Sequence, residues 1–179
     1  MHRIYVASSW RNPFQPGVVD ALRKVGHQVY DFRNPPSGVK GFAWSDIDPD
    51  WQKWSADAYR RNLLSHPTAA LGFLNDLRGM QWADTCLLVL PCGRSAHLEA
   101  GWFAGQGKRC IVLTRDGEEP ELMALLATDI CVSMDEVIEA LAYEQPCGNR
   151  SNRISGFAAY PDAYRPRLGP DSALAAESE

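Results

Sequence analysis

The sequence predicts a doubly wound α/β domain: a five-stranded parallel sheet with helices on both faces, flavodoxin- or Rossmann-like. Three observations carry that expectation. Short, mostly apolar runs rich in β-branched and aromatic residues recur along the chain, segments with helical spacing lie between them, and Gly, Pro or Ser marks the boundaries. Strands buried on both faces read as near-continuous apolar runs, because helices cover them from each side.

The first run, Ile4 to Ala7, ends at Ser8-Ser9 and reads as a buried strand. Val18, Val19, Leu22 and Val25 recur at helical spacing, which predicts a helix from about Phe14 to Val25 stopped by Gly26. His27 to Phe32 is the second strand. Arg33 to Asp50 holds Gly and Pro without a period and reads as a long loop, a feature that is often functional in a small domain. Asp50 is positioned to cap a helix over Trp51 to Leu64, which His66-Pro67 breaks. A further helix, Thr68 to Trp82, carries Asp76. Strand Thr85 to Leu90, the turn Pro91-Cys92-Gly93 and a helix from Ser95 to Gly105 follow. Strand Arg109 to Thr114, a short helix near Pro120 to Leu126, strand Ile130 to Ser133 and helix Met134 to Tyr143 complete the domain, placed at 1–145. From Pro146 to Glu179 the chain is rich in Pro, Gly, Ser and Ala and lacks an apolar period, so it reads as an extended or disordered tail, with Tyr160 and Tyr164 as anchors.

A length of 179 residues suits one domain. Eighteen basic against 22 acidic residues leave a net charge of −4, which argues against a nucleic-acid backbone as partner. No apolar run approaches the ~20 residues that cross a bilayer. The opening MHRIYVASSW lacks the layout of a secretory signal, so the expectation is a cytoplasmic protein without a membrane partner. The five cysteines include no CxxC pair. Cys86, Cys110 and Cys131 lie in apolar runs as small core residues, and Cys92, in a loop, is the one to watch for reactivity. Nothing resembles a P-loop, a GxGxxG fingerprint or a metal cluster, so no cofactor or metal is expected.

In open parallel sheets, ligands gather at the carboxyl ends of the strands, where strand order reverses. The end of the first strand (Tyr5 through Trp10), the helix carrying Asp76 and the loop from Pro91 into the Ser95 helix should meet there. The segment SAHLEAGWFAGQG has small residues that permit close packing on the sheet, and Glu99 is its only carboxylate. Ser95, Trp102 and Phe103 share the face of Glu99 at i±3 and i±4. A carboxylate on an apolar face is costly unless it has a partner or faces a cavity. Near the helix start it also feels the positive dipole end, which favours the ionised form a nucleophile needs. A buried structural Glu99, an N-capping Ser95, a solvated Asp76, a core Tyr5 and an ordinary His97 are the competing readings of the same residues.

Taken together, IYVASSW, NDLRGMQWADTCLLVLP and HLEAGWFAGQGK resemble, in order and spacing, the nucleoside 2-deoxyribosyltransferase family, whose relatives include 2′-deoxynucleoside 5′-phosphate N-hydrolases. The resemblance spans about residues 3–141, with the loop after the second strand and the tail poorly matched. It implies Glu99 as nucleophile at the anomeric carbon, Asp76 as the group handling the proton of the base, and Tyr5 as hydrogen-bond partner of the nucleophile. It places Ser8, Ser9 and Trp10 along the base pocket. The position six residues before the nucleophile, an aspartate in the transferases and a serine in the monophosphate hydrolases, is Gly93 here. Arg94 and Ser95 follow it and offer charge and a hydroxyl to the 5′ end of a substrate. Glu121 falls where many transferases supply an asparagine from a neighbouring subunit, and Trp102 completes the expected substrate contacts.

The resemblance therefore implies an enzyme, without cofactor, that cleaves or transfers the N-glycosidic bond of a small nucleoside or nucleotide through a glycosyl-glutamate. It also implies a homo-oligomer, at least a dimer. Two other classes stand beside it: a non-catalytic nucleotide-binding sensor, motivated by Gly93 and the six tryptophans, and an assembly protein whose tail docks on a neighbour.

Overall fold

The computed structural model describes residues 1–39 and 41–143. The expected tail from Pro146, with Tyr160, Tyr164 and Cys147, lies outside the described residues. Five strands, β1 (Arg3–Ala7), β2 (Gln28–Tyr30), β3 (Thr85–Val89), β4 (Arg109–Leu113) and β5 (Asp129–Cys131), form one parallel sheet in the order β2-β1-β3-β4-β5. Strand order reverses between β1 and β3, so the crevice above their carboxyl ends is where this topology offers a ligand site.

Alternation along the strands sorts the core into two layers. Ile4, Val6, Leu87, Val89 and Ile111 point to the face covered by α1 (Gln15–Lys24) and α6 (Met134–Ala142). Tyr5, Ala7, Cys86, Leu88, Cys110 and Val112 point to the other, covered by α4 (Pro67–Trp82) and α5 (Arg94–Gly105). The register puts Tyr5 beside Tyr30 on one side and Cys86 on the other, with Cys110 beyond. Cys86, Cys110 and Cys131 are buried free thiols in these layers, as their apolar surroundings predict.

Local structure departs from the sequence expectations at four places. The long loop contains a short helix, α2 (Trp44–Ile47), where the Ala43 N–H donates to the Asp46 carboxylate at 2.8 Å. The loop is gathered by aromatic edges: Phe42 on Trp44 at 5.1 Å and Trp44 on Trp54 at 5.9 Å. The single helix expected from Trp51 is instead a 3-10 turn (Trp51–Lys53) followed by α3 (Ala56–Ser65). Asp50 does not cap it, because its carboxylate accepts from Lys53 Nζ at 2.7 Å. The Trp54 indole donates to Asp48 at 2.6 Å, and Ser55 caps α3 by accepting from the Ala58 N–H. Gly93 is the N-cap of α5, so Ser95 sits inside the first turn. The segment near Pro120 is a 3-10 helix, Leu122–Leu126.

Between α4 and the sheet, contact is close because of one glycine. A Cβ on Gly79 would lie 2.7 Å from atoms of the Tyr30 ring, so only glycine lets the helix settle on that tyrosine. At its far end α4 is held by Lys108, whose ammonium donates to the carbonyls of Met80 at 3.0 Å and Ala83 at 2.6 Å.

Candidate active site

The two carboxylates expected to act together lie near enough for the charge of Asp76 to act on Glu99. Glu99 projects from the second turn of α5 and Asp76 from the middle of α4, both half-buried. Burial pushes Glu99 up to about 8, the negative charge of Asp76 adds to the rise, and a hydrogen bond with the Tyr5 hydroxyl pulls partly against it. Burial alone lifts Asp76 to about 6. The dipole of α5, invoked from sequence to keep Glu99 ionised, is outweighed by this desolvation. Among the described residues, no lysine, arginine or histidine pairs with either carboxylate.

Tyr5 lies beneath them, 1% exposed, with Tyr30 stacked on one side at 5.3 Å and Phe103 tilted on the other at 5.8 Å. Burial, together with the charges of Glu99 and Asp76, drives its phenol far above the ordinary range. Tyr5 therefore stays a neutral phenol at neutral pH, able to donate toward Glu99 but not to act as a base.

The segment after β1 is anchored from below. The Ser8 hydroxyl donates to the Val89 carbonyl at 2.9 Å. Asn12, 1% exposed, donates through its amide to Ser8 Oγ, the Val89 carbonyl and the Pro91 carbonyl, and accepts from the Phe14 N–H at 2.8 Å. Arg33 Nη2 donates to the carbonyls of Ser9 at 3.2 Å, Trp10 at 2.8 Å and Asn12 at 2.8 Å. Asp31 fixes the arginine backbone in turn, and hydrogen bonds from Asn34, Gln15 and the Arg33 N–H hold its carboxyl below the usual range against the effect of burial. Ser8 is thus engaged in holding the loop to β3. Trp10 stands half-exposed at the rim, its edge on Phe32 at 5.1 Å and its ring against Gly41. Sequence reasoning missed Asn12 and Arg33, whose partners lie far along the chain.

Gly93, Arg94 and Ser95 are exposed at the N-terminal end of α5, beside the same crevice. Two expected residues lie elsewhere within this chain, Glu121 being the one expected to act from a neighbouring subunit. The Trp102 ring is taken up by Lys108 Nζ at 5.0 Å and the Phe103 edge at 5.2 Å. Glu121 lines a separate, mainly apolar cavity between α5 and the 3-10 helix, floored by Leu88, Cys110 and Val112, with His97 at its edge. His97 and Ala100 mark the side of α5 turned away from Glu99, so within one subunit Glu121 and Glu99 serve different spaces. Cys92 contacts His97 Nδ1 at 3.4 Å, yet burial and the charges of Glu99, Glu118 and Glu121 push its thiol up to about 12. It is not an activated nucleophile.

No helix among the described residues is long and apolar enough to cross a membrane. No family model matches the chain, and no curated protein does. Among solved structures it is similar to a 2-deoxyribosyltransferase from the psychrotolerant bacterium Bacillus psychrosaccharolyticus. That match has 22% identity over 75% of this chain and 88% of that one, with a TM-score of 0.49. It is also similar to a CMP N-glycosidase of Clostridium botulinum, at 14% identity over 78% of this chain and 98% of that one, with a TM-score of 0.43. What this chain does chemically is read from its own side chains.

Proposed function

We propose that the protein cleaves the N-glycosidic bond of a nucleoside or nucleotide, passing the sugar to water or to a second base through an ester on Glu99. One observation carries the reading: two half-buried carboxylates from different helices lie near each other above a buried neutral phenol, and among the described residues no cation pairs with either. The charge of Asp76 raises Glu99, which links their titrations. With Asp76 pushed to about 6 and Glu99 to about 8, the pair holds one proton near neutral pH. One proton on two carboxylates is the stoichiometry that a nucleophile and an acid together require.

In the first step Glu99 Oε attacks the anomeric carbon opposite the base as the bond to the base nitrogen breaks. The base leaves with that electron pair and takes the proton from Asp76. Because the higher value belongs to Glu99, the proton rests there and passes to Asp76 before attack, and the neutral Tyr5 hydroxyl favours Glu99 as the ionised partner. Positive charge building on the sugar ring meets a site that is net negative. In the second step water, or the nitrogen of another base, attacks the same carbon, Asp76 takes its proton, and the Glu99 carboxylate is released. Ser9 and Trp10 edge the space for the base. Arg94, with Gly93, Ser95 and the unpaired N–H groups of the first turn of α5, suits a 5′-hydroxyl or 5′-phosphate.

The apolar side chains of Leu64 and Phe73, 75% and 65% exposed on the outer faces of α3 and α4, support a homodimer. Sedimentation of wild type and Phe73→Asp tests it: a dimer that dissociates in the variant is expected, and a monomeric wild type refutes it.

Incubation with a panel of nucleosides and 5′-nucleotides, followed by chromatography of free bases and intact-protein mass spectrometry, tests the chemistry. Wild type should release base and carry a sugar-sized mass gain, and Glu99→Gln should lose both. Folded wild type that frees no base from any member of the panel refutes it.

A further inference from the structure

We infer that Tyr30 is a positioning residue for the carboxylate pair: stacked on Tyr5, it fixes how far α4, with Asp76, stands from α5, with Glu99. The proposal deepens the N-glycosidic reading and takes its catalytic meaning from it.

The geometry starts in the sheet. Tyr5 and Tyr30 are register partners on adjacent parallel strands, so both side chains rise from the same face toward the helices. Their rings lie 5.3 Å apart and 10° from parallel, which makes the two phenols a single rigid block. The two side chains end on different helices. The Tyr5 ring packs on Phe103 of α5 at 5.8 Å, one turn beyond Glu99. The Tyr30 hydroxyl donates to the Asn75 carbonyl on α4 at 2.9 Å, one residue before Asp76. The stacked pair thus works as a caliper with one tip against each helix.

Two further observations favour a role in spacing. Gly79, one turn beyond Asn75, leaves no room for a Cβ, which would meet the Tyr30 ring at 2.7 Å, so the helix rests directly on the ring. Tyr30 is itself 7% exposed, hydrogen-bonded through its hydroxyl to backbone, and so has no reach to a ligand. The titratable groups facing the carboxylate pair are Tyr5 from β1, Tyr30 from β2, Cys86 from β3 and Cys92 from the loop before α5. Burial raises all of them, so at neutral pH they stay uncharged. The charge state of the pair is therefore governed by its own spacing and burial, the quantities Tyr30 sets. Two carboxylates held close cannot both ionise, and letting them drift apart removes that coupling.

The test uses the full-length protein with 13C-labelled carboxylates, titrated by NMR as wild type, Tyr30→Phe and Gly79→Ala. Tyr30→Phe keeps the stacked ring and loses only the tip on α4. Gly79→Ala keeps the tip and pushes the helix off the ring, although alanine is ordinarily the better helix former. In both variants the two titration steps of Asp76 and Glu99 should move toward each other by about one pH unit. Base release should then show kcat lowered about tenfold with KM within about twofold, since the change falls on the pair and not on the substrate pocket. Melting curves confirm that each variant is folded, and if one is not, the other decides. Titration steps unchanged from wild type in a folded variant overturn the proposal. A wild type that frees no base but whose pair still responds to Tyr30→Phe would refute the glycosidic chemistry and leave the caliper standing.

Discussion

Glu99→Gln should make the protein more stable, and more so as pH rises. Glutamine keeps the shape and an oxygen for the Tyr5 hydroxyl but carries no charge. In the wild type the folded state holds the Glu99 proton up to about 8, against 4.5 for an ordinary glutamate. Between those values the folded chain binds more protons than the unfolded one, so the stability associated with this group falls as pH climbs through the window and levels off above it. The full interval, 8 minus 4.5, corresponds to a ceiling of about 5 kcal/mol. Water at the crevice mouth screens part of this, so a relief of about 2–4 kcal/mol between pH 5 and pH 8.5 is expected. For a chain of this length it corresponds to a Tm gain of roughly 5–15 °C at the upper pH. Urea melts of wild type and variant at several pH values measure it directly. A difference that is constant across the range would mean Glu99 is ionised like any surface carboxylate. The one-proton pair, and the chemistry drawn from it, would then be untenable.

Three other outcomes are expected. Asn12→Ala removes the amide that ties Ser8, Val89 and Pro91 together, leaving the Val89 carbonyl with only the Ser8 hydroxyl and the Pro91 carbonyl without this donor. It should cost about 2–4 kcal/mol by urea denaturation, with base release falling as the Ser8–Trp10 segment loosens. Lys108→Met strips the ammonium from the last carbonyls of α4 and should cost about 1–2 kcal/mol, read by the same melts. Cys92, its thiol raised to about 12, should react with iodoacetamide at pH 7.5 about a thousandfold more slowly than free cysteine, quantified by peptide mass spectrometry of the alkylated native protein.

The three central strands were legible because they are buried on both faces and so read as apolar runs, while the edge strands β2 and β5 are partly exposed. Glu99 stood out for the converse reason, a carboxylate on an otherwise apolar helix face, whereas Asp76 and Tyr5 were joined to it only by the family resemblance. The sign of the Glu99 shift was not legible, since the helix dipole can be read from position along α5 while desolvation depends on α4 lying opposite. The break between Trp51 and Ala56 was equally hidden, because side-chain bonds from Lys53 and Trp54 decide it. Asn12 looks like a turn residue between exposed Arg11 and Pro13, and its partners are 77 and 79 residues away. Trp102 sits at the right helical spacing to join Glu99, but Lys108 claims its ring. Local pattern reports what a side chain prefers; long-range packing decides what it touches.

The pairing of Asp76 with Glu99, free of any lysine or arginine among the described residues, also sets what kind of inhibitor the crevice should welcome. A five-membered ring amine, protonated where the sugar carbon would become electron-poor, would bring the missing counterion with it. Its affinity should climb from acid toward mildly basic solution as the crevice sheds its last proton, then fade once the amine itself becomes neutral. An uncharged carbocyclic mimic of the same outline would lack that dependence, so comparing the two would weigh charge against shape in this pocket.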